Sequence, residues 1–246
     1  MFWRVLETEW QKEKHSPVWL AFFVLPLIPA VLGTLNYWNN QGILQKEWYS
    51  LWTQHTLFSC YFFLPALLGV YCAWLWRLEY QQHNWNNLLT VPIPVAFFYG
   101  AKVMLAGILL LLTQLWVGVL FFLSGKLCGL TTAFPVMDVV NWLLCGWLGG
   151  MAICLLQLFL SLLVRSFAVP VGIALLGGVA GLAATAKGWG VYFPYALLSV
   201  GMRANTASSE LSCGTAPFVF FCLSYSILFV LLSLLYLYQV DIAAKE

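Results

Sequence analysis

The residue types that carry metal, redox or nucleotide chemistry are present in this sequence, but their spacing does not assemble them. The three histidines, His15, His55 and His83, lie far apart, and no pair of Cys or His has the separation of a zinc site. The one Gly-Lys pair, Gly125-Lys126, is followed by Leu127 rather than by the Ser or Thr that closes a phosphate-binding loop. The seven cysteines, Cys60, Cys72, Cys128, Cys145, Cys154, Cys213 and Cys222, fall mostly in apolar runs, where Cys acts as a small hydrophobe. Cys128 and Cys213 fall on one side of the topology derived below, so a disulfide between them is an open pairing. Lys102, Gln114, Asn141 and Gln157 interrupt long apolar stretches. An intramembrane protease or lipid transferase needs such groups clustered at one depth, and these are scattered. Lys102 is close enough to the start of its stretch to snorkel towards water.

The elements that hold these residues follow from composition. With 62% hydrophobic and 8% charged residues and a mean hydropathy of +0.86, the chain exceeds what a soluble core can bury. A net charge of +2 offers no surface for nucleic acid. Apolar runs of roughly 20 residues in lipid must be helices, because the backbone has no other hydrogen-bond partners there. Six are expected: Val18 to Leu35, Thr56 to Trp76, Val95 to Leu123, Val139 to Val164, Ala168 to Ala186 and Thr215 to Val240. Residues 1–15 place Phe2, Trp3, Leu6 and Trp10 at helical spacing among charges, the pattern of a retained helix lying in the membrane interface rather than a cleaved signal.

Cytoplasmic segments are enriched in Lys and Arg. An inside N-terminus collects Arg4, Lys12, Lys14, Arg77, Arg165 and Lys245 there, and leaves Lys46, Lys126, Lys187 and Arg203 outside. Arg165 is then a topology signal, and Asp138 beside Pro135 reads as a helix N-cap. The outer segments are Asn36 to His55 and Lys187 to Gly214. The aromatics of the first, Tyr37, Trp38, Trp48, Tyr49 and Trp52, either form an interfacial belt or grip an amphipathic substrate. Gly149, Gly150, Gly177, Gly178 and Gly181 permit close helix approach, within one chain or between two. The whole chain, 1–246, reads as one domain.

The stretch Arg77 to Pro94 is the polar exception. Trp85, Leu88 and Leu89 fall at i, i+3 and i+4 with Glu79, Gln81, Gln82, Asn84, Asn86 and Asn87 around them, and Pro92 and Pro94 end the helix. The acidic residue closing the second span, the run Asn84-Trp85-Asn86-Asn87-Leu88-Leu89-Thr90, the Val91-Pro92-Ile93-Pro94 break and Lys102 in the next span resemble permease subunits of type-2 ABC transporters. The basic residue usual after that break is replaced by Val95-Ala96-Phe97. The resemblance implies an all-α integral membrane permease of six transmembrane helices. It adds an N-terminal interfacial helix, a cytoplasmic coupling helix between spans two and three, and an outer re-entrant helix over Trp189 to Leu198. It also implies ATPase coupling through Glu79, Asn84, Trp85, Leu88 and Leu89. Asn36-Tyr37-Trp38-Asn39-Asn40 and Tyr192-Phe193-Pro194-Tyr195 further resemble lantibiotic immunity permeases. That likeness implies Tyr37, Trp38, Trp48, Trp52, Tyr192 and Tyr195 as outer-face substrate contacts. The expected partners are a cytoplasmic ABC ATPase dimer, a second and unlike permease, membrane lipid and a peptide substrate. No cofactor is expected on this chain, since ATP and Mg would sit on the ATPase. The expected location is the bacterial cell membrane, with both termini cytoplasmic. An exporter of another cargo, such as a bacitracin-like peptide, lipid or small toxin, and a membrane enzyme or sensor without an ATPase partner are the competing classes.

Overall fold

The computed structural model describes residues 1–80 and 94–239. Six helices among them are long and apolar enough to cross a membrane, and the chain is a multi-pass membrane protein. A short amphipathic helix α1 (Phe2–Glu13) precedes α2 (Val18–Asn39). The second span is composite: α3 (Glu47–Phe58), a π-helical turn (Ser59–Phe63) and α4 (Leu64–Tyr80). Then come α5 (Val95–Leu127), α6 (Val136–Leu163) and α7 (Ala168–Ala186). Two 3-10 turns (Gly190–Tyr192 and Pro194–Ala196) lead into α8 (Leu197–Gly201), and α9 (Thr215–Gln239) closes the bundle.

Five spans begin and end within a few residues of their sequence limits, while the second departs widely. Its helix starts at Glu47 rather than Thr56, so the expected outer segment Asn36 to His55 shrinks to a connection of a few residues. The polar residues that disguised it are satisfied within the helix or across to α2. Thr53 Oγ1 donates to the Ser50 carbonyl, Thr56 Oγ1 to that of Trp52 and Ser59 Oγ to that of His55. Thr34 Oγ1 lies 3.1 Å from His55 Nε2. Gly33 makes this approach work, since a Cβ there would come within 2.8 Å of the His55 backbone nitrogen.

The core runs between α3–α4, α5 and α6, with Trp52, Trp76, Trp142, Tyr71, Phe121 and Leu68 fully buried. At the end where α3 and α6 begin, Trp52 stacks on Trp142 at 4.9 Å and its Nε1 donates to the Met202 carbonyl, fastening the segment after α8 to the core. The turns and α8 insert buried side chains, Tyr195, Leu197, Leu198 and Met202, against α6 and α7. The glycines serve these contacts within the chain. Gly149 faces the Leu197 carbonyl, Gly150 the Leu110 side chain, Gly177 the Tyr195 ring and Gly178 the Tyr61 carbonyl. The cysteines, Cys128 and Cys213 included, are free. Asp138 is not a cap: Pro135 holds that position, and the Asp138 carboxylate accepts from the Tyr49 hydroxyl.

Candidate functional site

At the end of the bundle where α1, α4 and α5 meet, four charged side chains close on one another. Lys102 sits two turns into α5 and is fully buried. An ammonium carries three donors, and all three are used: to Glu9 Oε2 at 2.7 Å, to Glu79 Oε1 at 3.1 Å and to the Leu75 carbonyl at 2.6 Å. Lys12 donates to the same Glu79 oxygen at 2.9 Å and pairs with Glu9. The Phe98 and Trp76 rings lie 4.5 and 5.1 Å from Lys102 Nζ, adding their quadrupoles to the cation's partners. Two cations and two carboxylates cancel, which is the condition for keeping such charges out of water. Snorkelling therefore does not describe Lys102: it turns inward because its counterions are there.

Glu9 and Glu13 are spaced i, i+4 below Val5, so the inward stripe of α1 is Val5-Glu9-Glu13, while Trp3 is 70% exposed. The aromatic pattern thus does not pick out the face that docks. A shallow apolar groove lined by Leu6, Trp10, Leu105 and Ile108 flanks it. Burial of Glu13 pushes its carboxyl up to about 7, against the pull of the Ser16 hydroxyl bonded to it at 3.1 Å. Burial also pushes Glu79 up, but Lys102 and Lys12 outweigh it and hold that carboxyl below its ordinary range. Burial lowers the Lys12 ammonium, and Glu9 and Glu79 more than reverse the shift.

Among the described residues the four charges balance and are each paired, so what the cluster holds is position. It can transmit position. Glu79 ends the helix before residues 81–93 and Lys102 lies in the helix after them, so the cluster ties both flanks of that segment to α1. Of the expected coupling residues, Glu79 belongs to the cluster, while Asn84, Trp85, Leu88 and Leu89 lie outside the described residues. Glu9 and Lys12 were not singled out by the sequence reading. The usable signal is a lysine inside a span, which requires a counterion, together with an i, i+4 glutamate pair on the charged helix α1.

The expected outer-face contacts scatter. Trp38 and Tyr192 are exposed, but Tyr37, Trp48, Trp52 and Tyr195 are buried. Trp48 Nε1 donates to the Thr132 carbonyl at 3.0 Å, and Gln157 Nε2 donates to the Tyr195 hydroxyl at 2.7 Å. Near them, Arg203 is 5% exposed with a left-handed φ of 50°. Its guanidinium donates to Asn141 Oδ1, the Gly201 carbonyl and the Ser209 carbonyl, pinning the segment after α8 to α6.

The model of a family described as ABC-2 family transporter protein matches residues 5–181. That region covers most of α1, the charged cluster, the first four spans and all but the last few residues of the fifth. No curated protein and no solved structure matches.

Proposed function

Because this chain belongs to the ABC-2 transporter family, a family of membrane transport components, we propose that it is the permease of an exporter that removes lanthionine antimicrobial peptides from the cell membrane. In this reading a separate cytoplasmic ATPase dimer binds ATP and Mg, a second and unlike permease completes the pathway, and both termini are cytoplasmic. Family membership supports the ATPase partnership. The cargo rests on the resemblance of Asn36-Tyr37-Trp38-Asn39-Asn40 and Tyr192-Phe193-Pro194-Tyr195 to immunity permeases.

The observation that carries the mechanical part is the Lys102–Glu9–Glu79–Lys12 cluster. Residues 84–89 would dock on the ATPase as a coupling helix, and their displacement on ATP hydrolysis would reach α4 and α5 together through the Glu79–Lys102 pair. A mutually paired and largely buried ion cluster suits that task, because its members move as one unit or break at high cost. α1 would lie at the membrane surface and share the movement. The turns at Gly190–Tyr192 and Pro194–Ala196 with α8 would form an outer re-entrant element.

Co-purification with the candidate ATPase tests the coupling. Wild type should retain the ATPase and Leu88→Asp should lose it at equal membrane abundance; no ATPase with either would overturn the assignment. Cargo is tested separately by expressing the chain with its ATPase and second permease in sensitive cells. Survival in lantibiotic, lost when the chain is omitted, is expected. Equal killing with and without the chain would reject that cargo and leave an exporter of another peptide, lipid or toxin.

A further inference from the structure

At the same end of the bundle, but on the far side of α4, a cavity of about 240 Å³ opens between the end of α4 and the link from α6 to α7. Two arginines line it. Arg77 closes the apolar part of the second span, and Arg165 follows the last residue of α6 by two positions. No Asp or Glu is among its described lining residues, and among the described residues no ion pair joins either arginine to one. The Arg77 guanidinium lies 5.5 Å from both the Trp74 and Phe167 rings, which limits its freedom. Ser161 also lines the cavity; it is 2% exposed, and its Oγ has no hydrogen-bond partner. The exposed Ser166 adds a second hydroxyl to the lining. A buried hydroxyl without a partner is costly, and here it sits beside two exposed guanidinium groups that have no carboxylate partner among the described residues, at the depth where apolar helix gives way to polar connection. Planar guanidinium groups match phosphate oxygens, and the cavity holds roughly eight waters' worth of volume.

We propose that this cavity binds a phosphate-bearing anion, held by Arg77 and Arg165 and accepting a hydrogen bond from Ser161. Two sources share that chemistry: the headgroup of an anionic phospholipid in the adjoining leaflet, or a soluble phosphate. The headgroup is favoured by the place of both arginines at span ends, where anionic lipids present their phosphates.

The test is native mass spectrometry of the full-length chain in detergent, titrated with phosphatidylglycerol, diacylglycerol or inorganic phosphate. Phosphatidylglycerol should bind and diacylglycerol, which has no phosphate, should not. R77Q/R165Q should weaken the phosphatidylglycerol adduct at least about tenfold, and S161A by less, given the strength of hydrogen bonds to charged groups. Inorganic phosphate that binds alone with the same arginine dependence and displaces the lipid supports the site and makes the soluble ion its occupant. Should R77Q/R165Q lose its fold, R165Q alone, at an exposed position, and S161A carry the comparison. Phosphatidylglycerol and phosphate binding unchanged in the variants, or diacylglycerol binding as well as phosphatidylglycerol, would overturn the proposal.

Discussion

Lys102 is tolerable inside a membrane helix only because Glu9 and Glu79 stand within 3.1 Å of it. Removing one partner of a buried pair leaves the others uncompensated, which typically costs about 3–5 kcal/mol. Lys102→Met is therefore expected to lower the thermal midpoint of the purified chain sharply, whereas Lys102→Met combined with Glu9→Gln and Glu79→Gln should recover most of the loss. Thermal unfolding in one detergent compares them. Glu13 gives a pH signature of opposite sense to an ordinary ion-paired carboxylate. Its folded-state value of about 7 lies above its ordinary 4.5, so between these values the folded state holds a proton that the unfolded state has released. By linkage, stability is greatest below 4.5 and falls as pH rises towards 7. The midpoint should drop across that window, and Glu13→Gln should flatten the dependence. A pH series of unfolding curves with both proteins measures the difference.

At the scale of elements, helix contacts are set by glycines whose role depends on what stands opposite. Gly33 faces the backbone of Gln54 and His55, and a Cβ placed on Gly178 would come within 2.5 Å of the Tyr61 carbonyl oxygen. Backbone cannot swing away as a side-chain tip can, so Gly33→Ala or Gly178→Ala should destabilise by about 1–3 kcal/mol through overpacking. Gly172 sits in α7 with nothing within 4 Å of a Cβ built there. Gly172→Ala should be neutral or stabilising by up to about 1 kcal/mol from helix propensity. The three variants, unfolded side by side, separate packing from propensity. The extent of α3 was hidden for a related reason. Ser50, Thr53, Gln54 and His55 read as loop residues, but three of the helix's hydroxyls return to carbonyls of their own chain, which lets a helix keep them away from water.

Across the whole molecule, burial is uneven. The windows of α2, α7 and α9 are 33, 22 and 17% buried, against 67% for the second span. Leu176, Phe220, Ile227 and Leu231 stand more than half exposed on these helices. Apolar surface of that extent belongs against lipid or another membrane subunit. Spin labels at Leu176 and Leu231 in bilayers are expected to collide readily with oxygen, which concentrates in lipid. Adding the second permease should shield whichever face it covers, while a label replacing the buried Cys60 should stay inaccessible throughout. Equal accessibility at all three positions would contradict the packing described above.

The number of spans and the ends of five of them are legible in the amino-acid sequence, because apolar length and the need to pair every backbone group leave a membrane chain no other regular structure. The same sequence also shows that Lys102 is exceptional and that Glu79 ends the second span, and motifs extending beyond periodicity pointed to the permease family. Where these charges go is set by how the helices pack. A helical pattern says which residues share a face; it does not say which face turns inward, and in α1 the docking face is the one bearing Glu9 and Glu13 rather than the richest in aromatics. For the same reason Trp48, Trp52 and Tyr195, expected in outer segments, lie inside the bundle. An aromatic at a span end is equally at home at the interface or in a core, and only the shape of neighbouring helices, set here by Phe121, Trp142 and the glycines of α6 and α7, chooses between them.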